Sequence, residues 1–117
     1  MTDFKPVLQS IAQRFASLDI DQIMSCFTQD VVVYYNQLPT IEGASALREF
    51  LAARYQGLAD YEISKTIKIQ KDNWLGVEVN AAFTKDGQRS QSRIFEFLEF
   101  DGDKIKTWDY VGNSVTQ

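Results

Sequence analysis

The chain has 117 residues with 44% hydrophobic and 13% aromatic content, enough for one packed core, so we expect residues 1–117 to form a single domain. A formal net charge of -4 and the lack of any Lys/Arg run argue against nucleic acid or an anionic membrane as a partner. No apolar stretch approaches the roughly 20 residues that span a bilayer and no charged-then-apolar leader opens the chain, so we expect a soluble cytoplasmic protein.

The first predicted element is an amphipathic helix after Pro6, a residue that a first helical turn tolerates. Its apolar residues recur at helical spacing: Leu8, Ile11, Ala12 and Phe15. Asp19 and Gln22 have capping-box spacing, which predicts a short second helix. Residues 31–35 are β-branched or aromatic and predict a strand, while residues 36–43 predict a loop. A third helix is predicted where apolar residues again have helical spacing: Leu47, Phe50, Leu51 and Tyr55.

From Tyr61 onward the pattern changes to long strands separated by turns that contain aspartate, at residues 71–73, 86–87 and 101–102. Four strands of about ten residues each are predicted to form an antiparallel meander. Because the helices precede the strands, we expect an α+β domain in which a curved sheet wraps around the helices.

Alternation along the strands assigns their two faces. One face of the strand after residue 73 is wholly apolar and should meet the helices: Leu75, Val77, Val79, Ala81 and Phe83. The other face still carries Trp74, and Phe95 and Phe97 lie on the odd-numbered face of the next strand. Two partly apolar faces predict a homodimer in which a second subunit covers the outer face of the sheet; the alternative is a few exposed aromatic side chains.

Glu96 lies in a strand, residues 94–100, that is otherwise largely apolar. A buried carboxylate must be paired, protonated or directed into a cavity, because an unpartnered buried charge is costly. Alternation places Glu96 on the same, even-numbered face of its strand as Ile94 and Leu98. The two alternatives are a functional role in a cavity and a structural ion pair, either with Arg93, Lys65 or Lys68 or with a partner subunit.

The chain has no histidine and one cysteine, Cys26. Serine or cysteine nucleophiles activated by histidine are therefore excluded, as are zinc sites that depend on imidazole. No Asp-rich calcium loop or Gly-rich phosphate loop occurs, so we expect neither a metal nor a cofactor. Cys26 lies in an apolar helical segment and is interpreted as a small buried hydrophobic residue. Acid–base chemistry would fall to carboxylates, tyrosines or lysines.

Several loose motifs in order along the chain resemble the nuclear-transport-factor-2-like superfamily, most closely its SnoaL-like and ketosteroid-isomerase-like members. The motifs are Arg14-Phe15, Asp19-Ile20-Asp21, Phe27-Thr28-Gln29-Asp30-Val31, Glu42-Gly43-Ala44 with Leu47-Arg48-Glu49-Phe50, and Phe100-Asp101-Gly102-Asp103-Lys104-Ile105. The resemblance implies a cone-shaped α+β barrel in which three N-terminal helices pack in a curved, mostly antiparallel sheet. It also implies a pocket between the helices and the sheet, and members of the family are commonly dimeric. Relatives include isomerases, dehydratases, epoxide hydrolases, polyketide cyclases and non-catalytic binding modules, so fold alone does not select an activity.

The isomerase site of the resembled family carries over only in part. Its general-base aspartate falls on Tyr35, and its oxyanion-hole tyrosine falls on Ile11 or Phe15. A further helix tyrosine falls on Leu51, whereas the second acid of the oxyanion hole falls on Glu96. By this resemblance Glu96 is a proton donor or shuttle and Tyr35 a hydrogen-bond donor to a developing oxyanion.

In SnoaL-like cyclases an acid–base aspartate lies near the end of the last strand, where this chain has Asp109 and the uncharged Asn113. The resemblance directs Trp108 and Tyr110 into the pocket, whereas strict alternation from Ile105 would direct Asp109 inward; a bulge would decide between them.

The predicted site therefore has Glu96, Tyr35 and Asp109 as candidate catalytic residues. Its candidate ligand-binding residues are Phe15, Leu51, Phe83, Trp108 and Tyr110. The function predicted is binding of a small apolar or oxygen-bearing molecule, with isomerase, dehydratase or cyclase activity through the pocket carboxyl group. The alternative is a non-catalytic dimeric module of the same fold that binds a ligand or a protein.

Overall fold

The computed structural model describes the backbone of residues 3–116 and the side chains of residues 3–112. Over this part of the chain there are three helices and six strands. The helices are α1 (Lys5–Ala16), α2 (Ile20–Met24) and α3 (Ala44–Tyr55). The strands are β1 (Phe27–Tyr35), β2 (Ile41–Glu42), β3 (Ala59–Lys71), β4 (Trp74–Lys85), β5 (Gln88–Asp101) and β6 (Lys104–Thr116).

The strands form one mixed, curved and unclosed sheet in the order β2-β1-β6-β5-β4-β3. All neighbours are antiparallel except β1 and β6, which run parallel. The predicted α+β fold with a mostly antiparallel sheet is confirmed, and β3 to β6 form the predicted meander. The four long strands have 12 to 14 residues rather than about ten, and the predicted loop contains the two-residue strand β2.

One hairpin turn and one helix cap are formed by residue types that favour these positions. Asp86 and Gly87 both have positive φ, 52° and 77°, between the paired residues Lys85 and Gln88. Two central residues with positive φ characterise the type I′ hairpin turn, whose twist matches that of its strands. Asp19 caps α2 because its Oδ1 accepts hydrogen bonds from the backbone N–H groups two and three residues later, at 3.0 and 3.5 Å.

The core lies between the helices and the concave face of the sheet. The helices contribute buried apolar residues at the predicted spacing: Leu8, Ile11, Phe15, Leu47 and Leu51. The inner faces of β4 and β5 contribute Leu75, Val77, Val79, Ile94, Leu98 and Phe100. Cys26 is buried in the same core, and burial raises the pKa of its thiol.

No helix in residues 3–116 is long and apolar enough to cross a bilayer.

Candidate functional site

A cavity of about 260 Å³ lies between the inner face of the sheet, α1 and the C-terminal end of α3. Its wall is largely aromatic, formed by Phe15, Tyr35, Tyr55, Tyr61, Phe83, Trp108 and Tyr110. Aliphatic side chains complete the apolar part: Leu58, Ile63, Val79, Ala81 and Ile94. Charged side chains also reach this cavity: Arg54, Lys65, Lys85 and Glu96. The wall is therefore apolar with a few convergent polar groups, which is typical of small-molecule sites.

Glu96 forms a buried ion pair in the cavity wall. Its side chain is 1% exposed and that of Lys65 is 3% exposed, and the Lys65 ammonium donates a hydrogen bond to Glu96 Oε1. The second carboxylate oxygen, Oε2, accepts a hydrogen bond of 2.8 Å from the indole N–H of Trp108. Lys65 also lies over the ring of Phe15, with its Nζ 5.3 Å from the ring centre. Each oxygen of this carboxylate therefore accepts a hydrogen bond inside the protein.

The structure selects one of the three ion-pair partners considered from the sequence. Arg93 and Lys68 both lie near Glu78 on the outer face, at 2.7 and 3.9 Å, whereas Lys65 faces inward. Sheet order explains the choice, because Lys65 on β3 and Glu96 on β5 flank β4 and point to the same side. Glu96 is accordingly both paired and part of the cavity wall, so the two alternatives do not exclude each other.

The hydroxyls of Tyr35 and Tyr61 in the cavity wall keep their protons at neutral pH. The ring of Tyr35 stacks on that of Tyr110, with centres 3.9 Å and planes 9° apart, and the Arg54 guanidinium lies 4.9 Å from the centre of Tyr35. Burial, reinforced by Tyr110 and opposed by Arg54, raises the pKa of Tyr35. Burial likewise raises the pKa of Tyr61 to about 12. These hydroxyls remain protonated near neutral pH and are suited to donating hydrogen bonds.

Most of the predicted site residues come together in this cavity: Phe15, Tyr35, Phe83, Glu96, Trp108 and Tyr110. The prediction of Leu51 is wrong: it does not line the cavity, and its side chain is fully buried in the hydrophobic core. The side chain of Asn113 lies outside the described residues.

Asp109 is half-buried on the outer face of the sheet, away from the cavity. Its position follows from a bulge: Glu99 is opposite Thr107, but the next residue, Phe100, is opposite Ile105, so one extra residue lies in β6. The extra residue shifts the alternation by one position, so that Trp108 and Tyr110 face inward together with Ile105. The inward orientation of Asp109 considered from strict alternation is thus not found.

Sequence reasoning did not assign several wall residues to the site: Arg54, Tyr55, Tyr61, Lys65 and Lys85. A signal for Lys65 was present, because it occupies an inward position of β3 between the apolar Ile63 and Ile67. In the part of the chain that the structure describes, no three His, Cys, Asp or Glu side chains are grouped as metal ligands would be.

Three helices packed in a curved, mostly antiparallel sheet around an aromatic cavity define a member of the nuclear-transport-factor-2-like superfamily. Within it, the chain belongs to the SnoaL-like domain family, whose profile matches residues 7–108. No curated protein sequence matches the chain significantly.

Solved structures with the same fold include an LEH-like epoxide hydrolase from M. tuberculosis. It is 17% identical, with a TM-score of 0.75 over 92% of this chain and 80% of that one. A second structure is SalBIII, an epoxide hydrolase/cyclase-like enzyme of pyran ring formation in the polyether salinomycin. It is 18% identical, with a TM-score of 0.75 over 97% of this chain and 95% of SalBIII. A protein with a ketosteroid isomerase-like fold from Catenulispora acidiphila, in complex with trimethylamine, is 11% identical. Its TM-score is 0.78 over 92% of this chain and 85% of that one. At these identities the likeness concerns the fold.

Proposed function

We propose that this chain binds a small, largely apolar molecule bearing an oxygen substituent, in the cavity on the inner face of the sheet. The observation that supports this most is the open cavity itself: aromatic side chains surround it, and the Lys65–Glu96 pair lies in its wall. A volume of about 260 Å³ is close to the lower end of the roughly 300–1,000 Å³ typical of ligand pockets, so the ligand is compact. Solved structures of the same fold include an epoxide hydrolase and an epoxide hydrolase/cyclase-like enzyme of pyran ring formation.

Each wall group has a role in this binding. The Lys65 ammonium has three N–H donors and gives one to Glu96, so it has donors left for an oxygen of the ligand. The protonated hydroxyl of Tyr35 is a further donor. Glu96 holds the ammonium in place and compensates its charge, and the aromatic rings bury the apolar part of the ligand.

A second candidate function is proton transfer within the bound molecule, as in an isomerase, dehydratase or cyclase. The buried carboxylate of Glu96 favours it, because a dry carboxylate beside an ammonium combines a proton acceptor with an electrostatic stabiliser. In an isomerisation, Glu96 would take a proton from a carbon next to a carbonyl and return it to another carbon. Lys65 and Tyr35 would donate hydrogen bonds to the enolate oxygen that forms in between.

The non-catalytic module remains the competing proposal. It is favoured by the absence of a second carboxylate from the described cavity wall, where the resembled isomerases have a general-base aspartate and this chain has Tyr35. In either case we propose a homodimer through the outer face of the sheet, supported by the exposure of Phe95 and Phe97 there.

Binding can be measured through Trp108, which lines the cavity, once Trp74 on the outer face is replaced. In the Trp74→Phe protein, titration with the neutral probes 2-phenylethanol and acetophenone should give saturable changes in Trp108 fluorescence. Ala81→Phe in the same background should abolish them, because residue 81 lines the cavity and the larger side chain fills it.

Ala82→Phe is the matched control, since the neighbouring residue does not line the cavity and its variant should bind as before. Circular dichroism verifies that both variants fold. Equal binding by the variants at positions 81 and 82, or no saturable change with either probe, would contradict the proposed function.

A further inference from the structure

We propose that the ligand of this cavity is an anion, a small aromatic or alicyclic carboxylate whose ring lies among the aromatic side chains and whose carboxylate meets Arg54 and Lys85. This inference rests on the proposed binding function and specifies its ligand class. Among the residues whose side chains are described, the cavity is lined by three cations, Arg54, Lys65 and Lys85, and by one carboxylate, Glu96. The site is thus positive within a chain whose formal net charge is -4.

The charge that a ligand would meet comes from two of these cations. Lys65 and Glu96 neutralise each other in the buried pair. Arg54 and Lys85, by contrast, take part in none of the ion pairs formed by the residues that the structure describes. Two positive charges at one cavity, with no carboxylate of the protein to compensate them, favour an anionic ligand and disfavour a cationic one.

Arg54 is exposed to solvent, but it also lines the cavity and its guanidinium packs on an aromatic ring there. Its guanidinium lies 4.9 Å from the centre of the Tyr35 ring, and it interacts with the hydroxyl of Tyr110. A planar guanidinium that is positioned in advance loses little side-chain entropy on binding, and its N–H groups match a carboxylate in a two-point contact. Beside it, the stacked Tyr35 and Tyr110 offer an apolar surface to a ring.

The shape of the cavity is consistent with this ligand class. Its volume of about 260 Å³ has room for a single ring and a short acidic arm, and its wall is mostly apolar away from the charged groups. An anion made only of polar atoms would leave that aromatic wall without a contact, whereas an amphipathic carboxylate satisfies both parts.

Three probes of nearly the same size and different charge test the inference: phenylacetate, phenylacetamide and phenethylamine, titrated by calorimetry or through Trp108 in the Trp74→Phe protein. We expect phenylacetate to bind at least about tenfold more tightly than the amide, because charge-assisted hydrogen bonds are about twice as strong as neutral ones, and phenethylamine to bind most weakly. The advantage of phenylacetate should shrink as salt is raised, since the Debye length falls from about 30 Å at 0.01 M to about 3 Å at 1 M.

Arg54→Gln should lower the affinity for phenylacetate about tenfold and leave that for phenylacetamide unchanged. Arg48→Gln is the matched control, because Arg48 lies on the same helix but pairs with Asp21, and it should change neither affinity. Lys85→Gln should act in the same direction as Arg54→Gln.

The outcomes separate this inference from the function on which it rests. If phenylacetamide binds as tightly as phenylacetate, the anion proposal is wrong while binding in the cavity stands. If Arg54→Gln weakens acid and amide equally, Arg54 shapes the cavity without recognising charge, which also overturns the proposal. If none of the three probes binds, the binding function itself is contradicted.

Discussion

The Lys65–Glu96 pair lies almost wholly out of solvent, with side chains 3% and 1% exposed. Removing one partner of a buried pair leaves the other charge uncompensated, which typically costs about 3–5 kcal/mol. We therefore expect Glu96→Gln to lower the free energy of unfolding by about 3 kcal/mol, measured by urea denaturation. Replacing both partners with apolar residues, Lys65→Met with Glu96→Leu, should recover most of this loss, because no unpaired charge remains.

An exposed ion pair between the same two strands, β3 and β5, supplies the control for this prediction. Glu62 lies 3.2 Å from Arg89 and its side chain is 79% exposed, so Glu62→Gln should change stability by less than about 1 kcal/mol. A Glu96→Gln protein as stable as the parent, or a double variant no more stable than Glu96→Gln, would show that the pair is not electrostatically coupled in the folded state.

The Glu96→Gln and Glu62→Gln proteins also separate proton transfer from simple binding, at temperatures where circular dichroism shows both to be folded. With phenylacetone in D₂O, an active cavity should accelerate exchange of the hydrogens next to the carbonyl, followed by NMR. This acceleration should vanish in Glu96→Gln and persist in Glu62→Gln. Exchange by the parent protein no faster than in buffer would leave the non-catalytic module as the function.

At the scale of single elements, the local pattern predicts regular strands well. Alternation assigned the inner faces of β4 and β5 because both strands keep an unbroken pairing register over most of their length. It could not assign β6, where an extra residue opposite Glu99 and Phe100 reverses which positions point inward. A β-bulge depends on how two strands pair and not on a particular residue type. No local sequence pattern therefore predicted that Asp109 points outward. The parallel pairing of β1 with β6 is non-local in the same way.

The close approach of β5 and β6 gives a prediction about Gly112. It pairs with Ile94, and a Cβ at residue 112 would lie 3.1 Å from the Cα of Ile94 and 2.6 Å from its Cγ1. The Cα belongs to the backbone, so the two strands would have to separate, beside the cavity wall that Ile94 forms. We expect Gly112→Ala to reduce stability by about 1–3 kcal/mol, as overpacking usually does, measured by urea denaturation.

Gly76→Ala is the control for Gly112→Ala, because the new Cβ would meet side-chain atoms only. The nearest is Cγ2 of Ile69 at 2.4 Å, but Ile69 is 63% exposed and can move into solvent. Gly76→Ala should therefore be the milder substitution, with a cost below about 1 kcal/mol. If the two substitutions cost the same, β5 and β6 do not constrain residue 112 as the close contact indicates.

For the molecule as a whole, the class of fold and the direction of Glu96 were predictable, because strand alternation and the family resemblance agree on them. The sequence did not select Lys65 as the partner of Glu96, since that requires the strand order to be known. Nor did it assign Arg54 to the cavity, because the end of α3 reaches the sheet only through the packing of the entire helix. Local periodicity thus predicted which way side chains point, while strand order decided which of them meet.

The outer face of the sheet carries exposed apolar side chains in two neighbouring cross-strand rows, with charged residues among them. Cross-strand pairing aligns Ile69, Gly76 and Phe97 in one row, and Phe95 pairs with Val111 in the next. The four large side chains are 46–63% exposed. A stable interface buries about 800 Å² on each partner and contains aromatic residues at its centre, which these rows could supply. We expect the protein to sediment as two chains of 13.4 kDa each in analytical ultracentrifugation.

Phe97→Glu should convert this dimer to a monomer, because it would bring a carboxylate from each subunit into an apolar contact. Leu38→Glu is the control: Leu38 is 51% exposed as well, but it lies in the loop between β1 and β2, and the variant should remain dimeric. Since the cavity opens on the other face of the sheet, the Phe97→Glu monomer should still bind phenylacetamide with the affinity of the parent. A monomeric parent protein would contradict the dimer, and loss of probe binding in a folded Phe97→Glu monomer would show that the cavity depends on the second subunit.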